Sequence, residues 1–112
     1  MRGGAPREAV EAAERLLKAL SSKVGGVEEA YLFGSYAKGT WLRTSDVDLI
    51  VVSDGFRGMK FLDRLDLANK LAWELGIRPH VEVIPLTPEE FRERLGRSAV
   101  LRDASKYWVK LR

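Results

Sequence analysis

Cysteine is absent from the chain, which excludes disulfides, thiolate zinc sites, CxxC redox motifs and a cysteine nucleophile, and leaves oxygen donors to hold any metal. Glutamine is absent too, Asn69 is the only asparagine, and arginine outnumbers lysine twelve to seven. This shortage of heat-labile side chains points to a thermophilic source. Long apolar runs are also missing. The longest, Ala30 to Phe33 and Leu49 to Val52, fall far short of the roughly 20 residues of a membrane helix. No leader core stands in Met1 to Pro6, so the expected location is the cytoplasm. With 112 residues, 46% hydrophobic and 31% charged, the composition excludes disorder, collagen and coiled coil and suits one α/β domain over 1–112, with no room for a second.

The net charge of +3 is unevenly placed. From Phe91 to Arg112 there are Arg92, Arg94, Arg97, Arg102, Lys106, Lys110 and Arg112 against Glu93 and Asp103. Such a tail is either a solvated surface balanced by acids elsewhere in the fold or a patch for an acidic partner or a phosphate.

Periodicity sets the elements. Val10, Ala13, Leu17 and Leu20 recur at helical spacing over Pro6 to Lys23, and Gly25 and Gly26 stop that helix. Val27, Tyr31 and Phe33 alternate with Glu28, Ala30 and Leu32 as a first strand that breaks at Gly34 and Ser35. A short helical turn is expected over Ser35 to Lys38, then a loop to Ser45. Asp46 to Ser53 is a buried strand by its β-branched second half. After a turn at Asp54, Gly55 and Gly58, a helix over Met59 to Leu75 shows a Leu62, Leu65, Ala72 and Leu75 stripe and ends at Gly76. A third strand covers His80 to Ile84. Thr87, Pro88, Glu89 and Glu90 form a capping box that starts a helix closing at Gly96. A short helix near Ala99 to Ser105 and a strand around Tyr107 to Leu111 complete an α/β layered order.

Residues two apart in a strand share a face, so Asp46 and Asp48 point the same way, about 7 Å apart along the chain. Like charges beside the apolar run Leu49 to Val52 cost stability unless cations neutralise them, and hard divalent ions do this. The same pair at an exposed strand end could instead cap loop amides. Upstream, a strand running into Gly34 and Ser35 and then a helical turn offers free N–H groups, close approach and a hydroxyl to a phosphate. An ordinary helix cap has the same composition. Gly39 allows a tight exit, and Lys38 and Arg43 add positive charge near the same mouth.

The run GSYAKGTWLRTSDVDLIV resembles the signature of the polymerase-beta type nucleotidyltransferase superfamily. Gly34, Ser35, Gly39, Ser45, Asp46, Asp48 and Leu49 match it position by position, most firmly over Tyr31 to Val52 and loosely on to Glu90. With only a catalytic core, the chain is similar to the minimal nucleotidyltransferases, which in prokaryotes often pair with a HEPN-domain protein as antitoxin and toxin. The resemblance implies an α/β (α+β) fold, a mixed β-sheet with helices packed on one side of it. It also implies magnesium held by Asp46 and Asp48 and a triphosphate gripped at Gly34 and Ser35, with Lys38 and Arg43 nearby. A third carboxylate is expected on a later strand, and Glu82, the only acid in His80 to Ile84, takes that role as metal ligand and catalytic base. The family more often has Asp there. The alternative for Glu82 is a surface position on an edge strand.

The chemistry that follows has two Mg²⁺ ions bridging carboxylates and phosphates, an acceptor hydroxyl attacking the α-phosphorus of a nucleoside triphosphate, ATP by family habit, and pyrophosphate leaving. The acceptor expected is a hydroxyl of the HEPN partner. The alternative function is a non-catalytic toxin-binding antitoxin module, against which stands the crowding of acids on one face. A nucleic-acid role is disfavoured for want of interleaved aromatic and basic residues. A homo- or a hetero-oligomer is equally compatible with the chain. His80 is expected at the surface, Trp41 as a loop anchor or a base-stacking side chain, and Trp73 and Trp108 in the core or an interface.

Overall fold

The computed structural model describes residues 5–112, so the expected lack of a leader core lies, for residues 1–4, outside the described part. Helix α1, Arg7–Val24, buries Ala9, Ala12, Ala13, Leu16, Leu17 and Leu20 along one face. Each of those leucines contributes about 1.5–3 kcal/mol by leaving water. The helix stops where Gly25 takes a left-handed φ of 83°. There the N–H groups of Gly25 and Gly26 both donate to the Ser21 carbonyl, closing a glycine-dependent end.

Strand β1, Glu29–Phe33, follows, then the single-turn helix α2, Ser35–Lys38, and strand β2, Val47–Val52. A 3₁₀ turn over Asp54–Phe56 leads to helix α3, Phe61–Glu74, and strand β3, Val81–Leu86. Helices α4, Pro88–Arg97, and α5, Ala99–Ala104, precede the two-residue strand β4, Val109–Lys110. The capping box forms as expected: Thr87 Oγ1 accepts from the Glu90 N–H, and the Glu90 carboxylate accepts from the Thr87 N–H.

The sheet is mixed, in the order β3-β2-β1-β4, with β2 and β3 parallel and the other pairs antiparallel. Val47, Leu49 and Val51 join Leu32, Val81 and Val83 against α1 and α3 in the larger core. Alternation turns Tyr31, Phe33, Ile50, Val52 and Leu86 to the opposite face, where Phe91 of α4 and Leu101 and Ala104 of α5 cover them. The expectation of helices on one side only is therefore corrected: α4 and α5 form a second, smaller layer. For the same reason β1 is buried on both faces rather than alternating with polar positions.

A second correction concerns α3. Of its expected stripe only Ala72 is buried; Leu62 and Leu75 are exposed. The core side is Arg64, Ala68, Leu71 and Ala72. The Arg64 guanidinium is accommodated inside because it donates to the Glu90 carboxylate (2.6 Å), the Pro85 carbonyl (3.2 Å) and the Met59 carbonyl (3.1 Å). No buried side-chain polar atom among the described residues lacks a hydrogen-bond partner.

Candidate active site

The strand registers bring the sequence motifs together at one end of the sheet. Phe33, the last residue of β1, stands opposite Asp48, and Asp48 stands beside Glu82 in the parallel β2–β3 pair. Asp48 and Glu82 thus occupy neighbouring positions on the face that also carries Ile50, Ile84 and Val52, beyond the part packed by α4 and α5. Asp46 lies just before β2, where the Val47 N–H donates to the His80 carbonyl (2.8 Å) and ties the heads of the two strands. Glu82 is exposed between the buried Val81 and Val83, the alternation expected for it.

Gly34 shows why this position has no side chain. Its φ of 75° and ψ of −157° suit glycine, and a Cβ built there would fall on Asp48 Oδ2 and within 3.0 Å of its Cγ. The backbone after β1 therefore passes directly over a carboxylate. From there α2 begins with no side chain capping it, so the first-turn N–H groups at Ser35 and Tyr36 face outward from the helix start. Gly39, at φ 83°, ends the turn with its N–H on the Ser35 carbonyl.

Electrostatics single out one group. Burial pushes the Asp48 carboxyl up to about 6, with the charges of Glu82 and then Asp46 adding to the rise. Among the described residues no cation offsets this rise. Lys38 points away, its Nζ 3.6 Å from Asp103 Oδ2 and 4.7 Å from the centre of the Tyr107 ring. Arg43 lines a shallow cleft of about 750 Å³ with Glu8, Tyr36, Trp41, Leu42 and Pro79. The structure thus brings Gly34, Ser35, Asp46, Asp48 and Glu82 to one place and sets Lys38 and Arg43 to its sides. Among the described residues no three Asp, Glu or His side chains are gathered into a ready-made metal cluster. Two carboxylates with phosphate oxygens are the set that magnesium ordinarily takes, and the oxygen-only donors and unneutralised charge of Asp46 and Asp48 fit such an ion.

Other residues find plainer places. Trp41 stacks on Tyr36 with centroids 5.6 Å apart, a loop anchor. Trp108 stacks on Tyr31 at 4.0 Å inside the smaller layer, whereas Trp73 is 87% exposed and not in the core. Much of the basic tail is met by acids: Arg92 by Glu89, Arg97 by Glu93 and Arg112 by Glu14. Periodicity did not reveal a cleft of about 580 Å³ where Asn69, Trp73, Gly76, Arg78 and His80 meet at the end of α3. It forms from a helix end and the loop after it, and its only sequence signal was a tryptophan out of phase with the buried face. No helix among the described residues is long and apolar enough to cross a membrane.

Comparison with known proteins identifies the fold and the family. A protein of Methanocaldococcus jannaschii named "Putative protein adenylyltransferase MJ0604" is 35% identical over 68 residues, which are 60% of this chain. The match spans 64% of that relative, less than two thirds of its length. A crystal structure of a toxin–antitoxin with AMP-PNP is 28% identical, covers 96% of this chain and 73% of its own, and superposes with a TM-score of 0.58. A mutant of the toxin–antitoxin MntA-HpeT shares the fold, at 24% identity and a TM-score of 0.59 over 88% of this chain and 70% of its own. The family profile described as Nucleotidyltransferase domain matches residues 13–109, which take in all three carboxylates and the Gly34–Ser35 turn, and the chain belongs to that family of nucleotidyl-transferring enzymes.

Proposed function

We infer that the protein transfers the nucleoside monophosphate of ATP to a hydroxyl of a partner protein in a magnesium-dependent reaction, as the antitoxin member of a HEPN-type toxin–antitoxin pair. The observation that carries this reading is the packing of Gly34 directly against Asp48, with Asp46 and Glu82 close enough to raise that carboxyl further. Crowded acids below an uncapped turn entered through a glycine are costly for a fold alone and suited to a ligand that brings both phosphate and cation. Asp46 and Asp48 would hold the metal, with Glu82 beside them. When bound, magnesium supplies charge neutralisation and polarises the phosphoryl group.

The chain's own groups do the rest. The Ser35 and Tyr36 N–H groups and the Ser35 hydroxyl are donors for phosphate oxygens. Glu82, exposed at the strand edge, takes the proton of the acceptor hydroxyl as its oxygen bonds to the α-phosphorus and the bond to pyrophosphate breaks. The relatives support the donor and the acceptor class, since one neighbour is a toxin–antitoxin with AMP-PNP and one relative is named a protein adenylyltransferase.

Intact-mass spectrometry of the protein with the product of the gene beside its own, ATP and Mg²⁺ tests this. The expected result is a partner heavier by one or more AMP groups. Association without mass gain from any of the four nucleotides, while ATP and Mg²⁺ still raise the melting temperature, would make the protein a non-catalytic binder. Absence of association removes the toxin–antitoxin assignment.

A further inference from the structure

Helix α3 leaves uncovered a stripe with a large apolar side chain at each end. Opposite its core side, Leu62, Asp66, Asn69 and Trp73 follow one another at helical spacing, with Leu65 and Lys70 on the flanks. Leu62 is 71% and Trp73 87% exposed. A tryptophan offers some 150–250 Å² for burial, and in this stripe it stands at the far end of the helix from Leu62. Charge beside the stripe changes along the helix as well, from Asp63 and Asp66 in the first half to Lys70 and Glu74 in the second. The Lys70–Glu74 contact, at 3.9 Å between exposed side chains, holds Lys70 only weakly.

This order is self-complementary across a two-fold axis at the middle of the helix. Laid antiparallel, two α3 helices bring Leu62 of one onto Trp73 of the other, twice, and Asp66 beside Asn69, twice, with Lys70 flanking the Asp66 carboxylate. We propose that α3 is the contact through which two copies of this chain associate as a two-fold dimer. In that arrangement the first turn of α3 of the second copy, with Phe61 at its edge, lies over the cleft that Asn69, Trp73, Gly76, Arg78 and His80 form. A helix of 14 residues is only about 21 Å long, so the contact falls short of the roughly 800 Å² per partner of a standard interface and the dimer is weak.

Sedimentation velocity of the full chain over a hundredfold concentration range, reaching high micromolar, tests this. The weight-average mass is expected to rise from one toward two copies of the 12.6 kDa chain. Leu62→Glu and Trp73→Glu, both at exposed positions and checked for folding by circular dichroism, are expected to hold it at one. Asp66→Lys weakens self-association, and so does Lys70→Asp, whereas the two single variants mixed together associate with each other, because the charges of one chain then meet opposite charges on the other. A wild-type chain that stays monomeric throughout overturns the proposal. So does a dimer that survives both Leu62→Glu and Trp73→Glu, or a mixture of Asp66→Lys and Lys70→Asp chains that associates no better than either alone.

Discussion

At the end where β3 runs into α4, Arg64 sits 5% exposed with its guanidinium met by Glu90 and two backbone carbonyls. At the opposite end of the same strand pair, burial pushes the Asp48 carboxyl up to about 6, and the neighbouring acids Glu82 and Asp46 add to the rise. The first arrangement holds the Glu90 carboxyl below its usual range, because Arg64 donates to the charged form. The second does the reverse. The sheet and the strand pair are the same, so the difference lies in which side chains reach the strand ends. One end is closed by charges that satisfy each other, and the other gathers acids whose like charges oppose one another.

The sharpest way to test that contrast is to remove the carboxyl at the centre of the acidic end. Asp48→Asn is expected to lower nucleotidyl transfer on the order of 10⁴-fold while raising resistance to urea, because it removes like-charge repulsion and a carboxylate's desolvation. Activity and stability would move in opposite directions, as they do where a site is kept at the expense of the fold. Transfer within tenfold of wild type would make the acids structural, and a loss of stability would mean that Asp48 has a partner in the fold after all.

The next effect is expected at the closed end. Glu90→Ala leaves a buried guanidinium with only neutral acceptors and breaks the capping box, at about 3–5 kcal/mol, read from urea midpoints at unchanged slope. Transfer per folded molecule should be unaffected. A cost below about 1 kcal/mol, the range of exposed ion pairs, would show that Glu90, itself 41% exposed on its side chain, relaxes into water with Arg64 and that the two ends differ less than they look.

The two ends were not equally legible in the sequence. Asp46, Asp48 and Gly34 stood out because spacing and glycine have local meaning, and strand alternation alone placed Glu82 on the exposed side of β3. Thr87 and Glu90 were legible as a cap, since that pattern spans four residues. The role of Glu90 as partner to Arg64, 26 residues away, was not, because no local period announces a buried arginine. That same arginine misled the reading of α3: a charged residue took a core position, so the leucine stripe turned outward and Trp73 with it. The second layer of helices was hidden for a related reason. Strands such as Tyr31 to Phe33 and Ile50 to Val52 are apolar on both faces, and such runs do not say what covers each side. The positions of Lys38 and Arg43 depended on loop and helix-end geometry, which spacing does not carry.

The smallest effect is the pH dependence of the metal-free protein. In the unfolded chain Asp48 titrates near the ordinary aspartate value of 3.8, and in the folded protein near 6. Between those values the folded state binds more protons than the unfolded one, so stability falls as pH rises through the window and levels off above it. The sign is opposite to that of Glu90, whose lowered carboxyl adds stability above the unfolded value and loses it as pH falls. Because Asp48 is half-buried and solvent screens it, the expected decline is about 1–2 kcal/mol rather than the full equivalent of the shift. Urea titrations at pH 4.5 and pH 7, in the presence of a chelator, would read it, and the difference should shrink in Asp48→Asn. An excess of Mg²⁺ with ATP should restore stability at the higher pH, since a cation and phosphate that bind the ionised carboxylates favour the folded state by mass action. Equal loss in wild type and Asp48→Asn would place the titration in other groups and leave the open end of the sheet no more strained than the closed one.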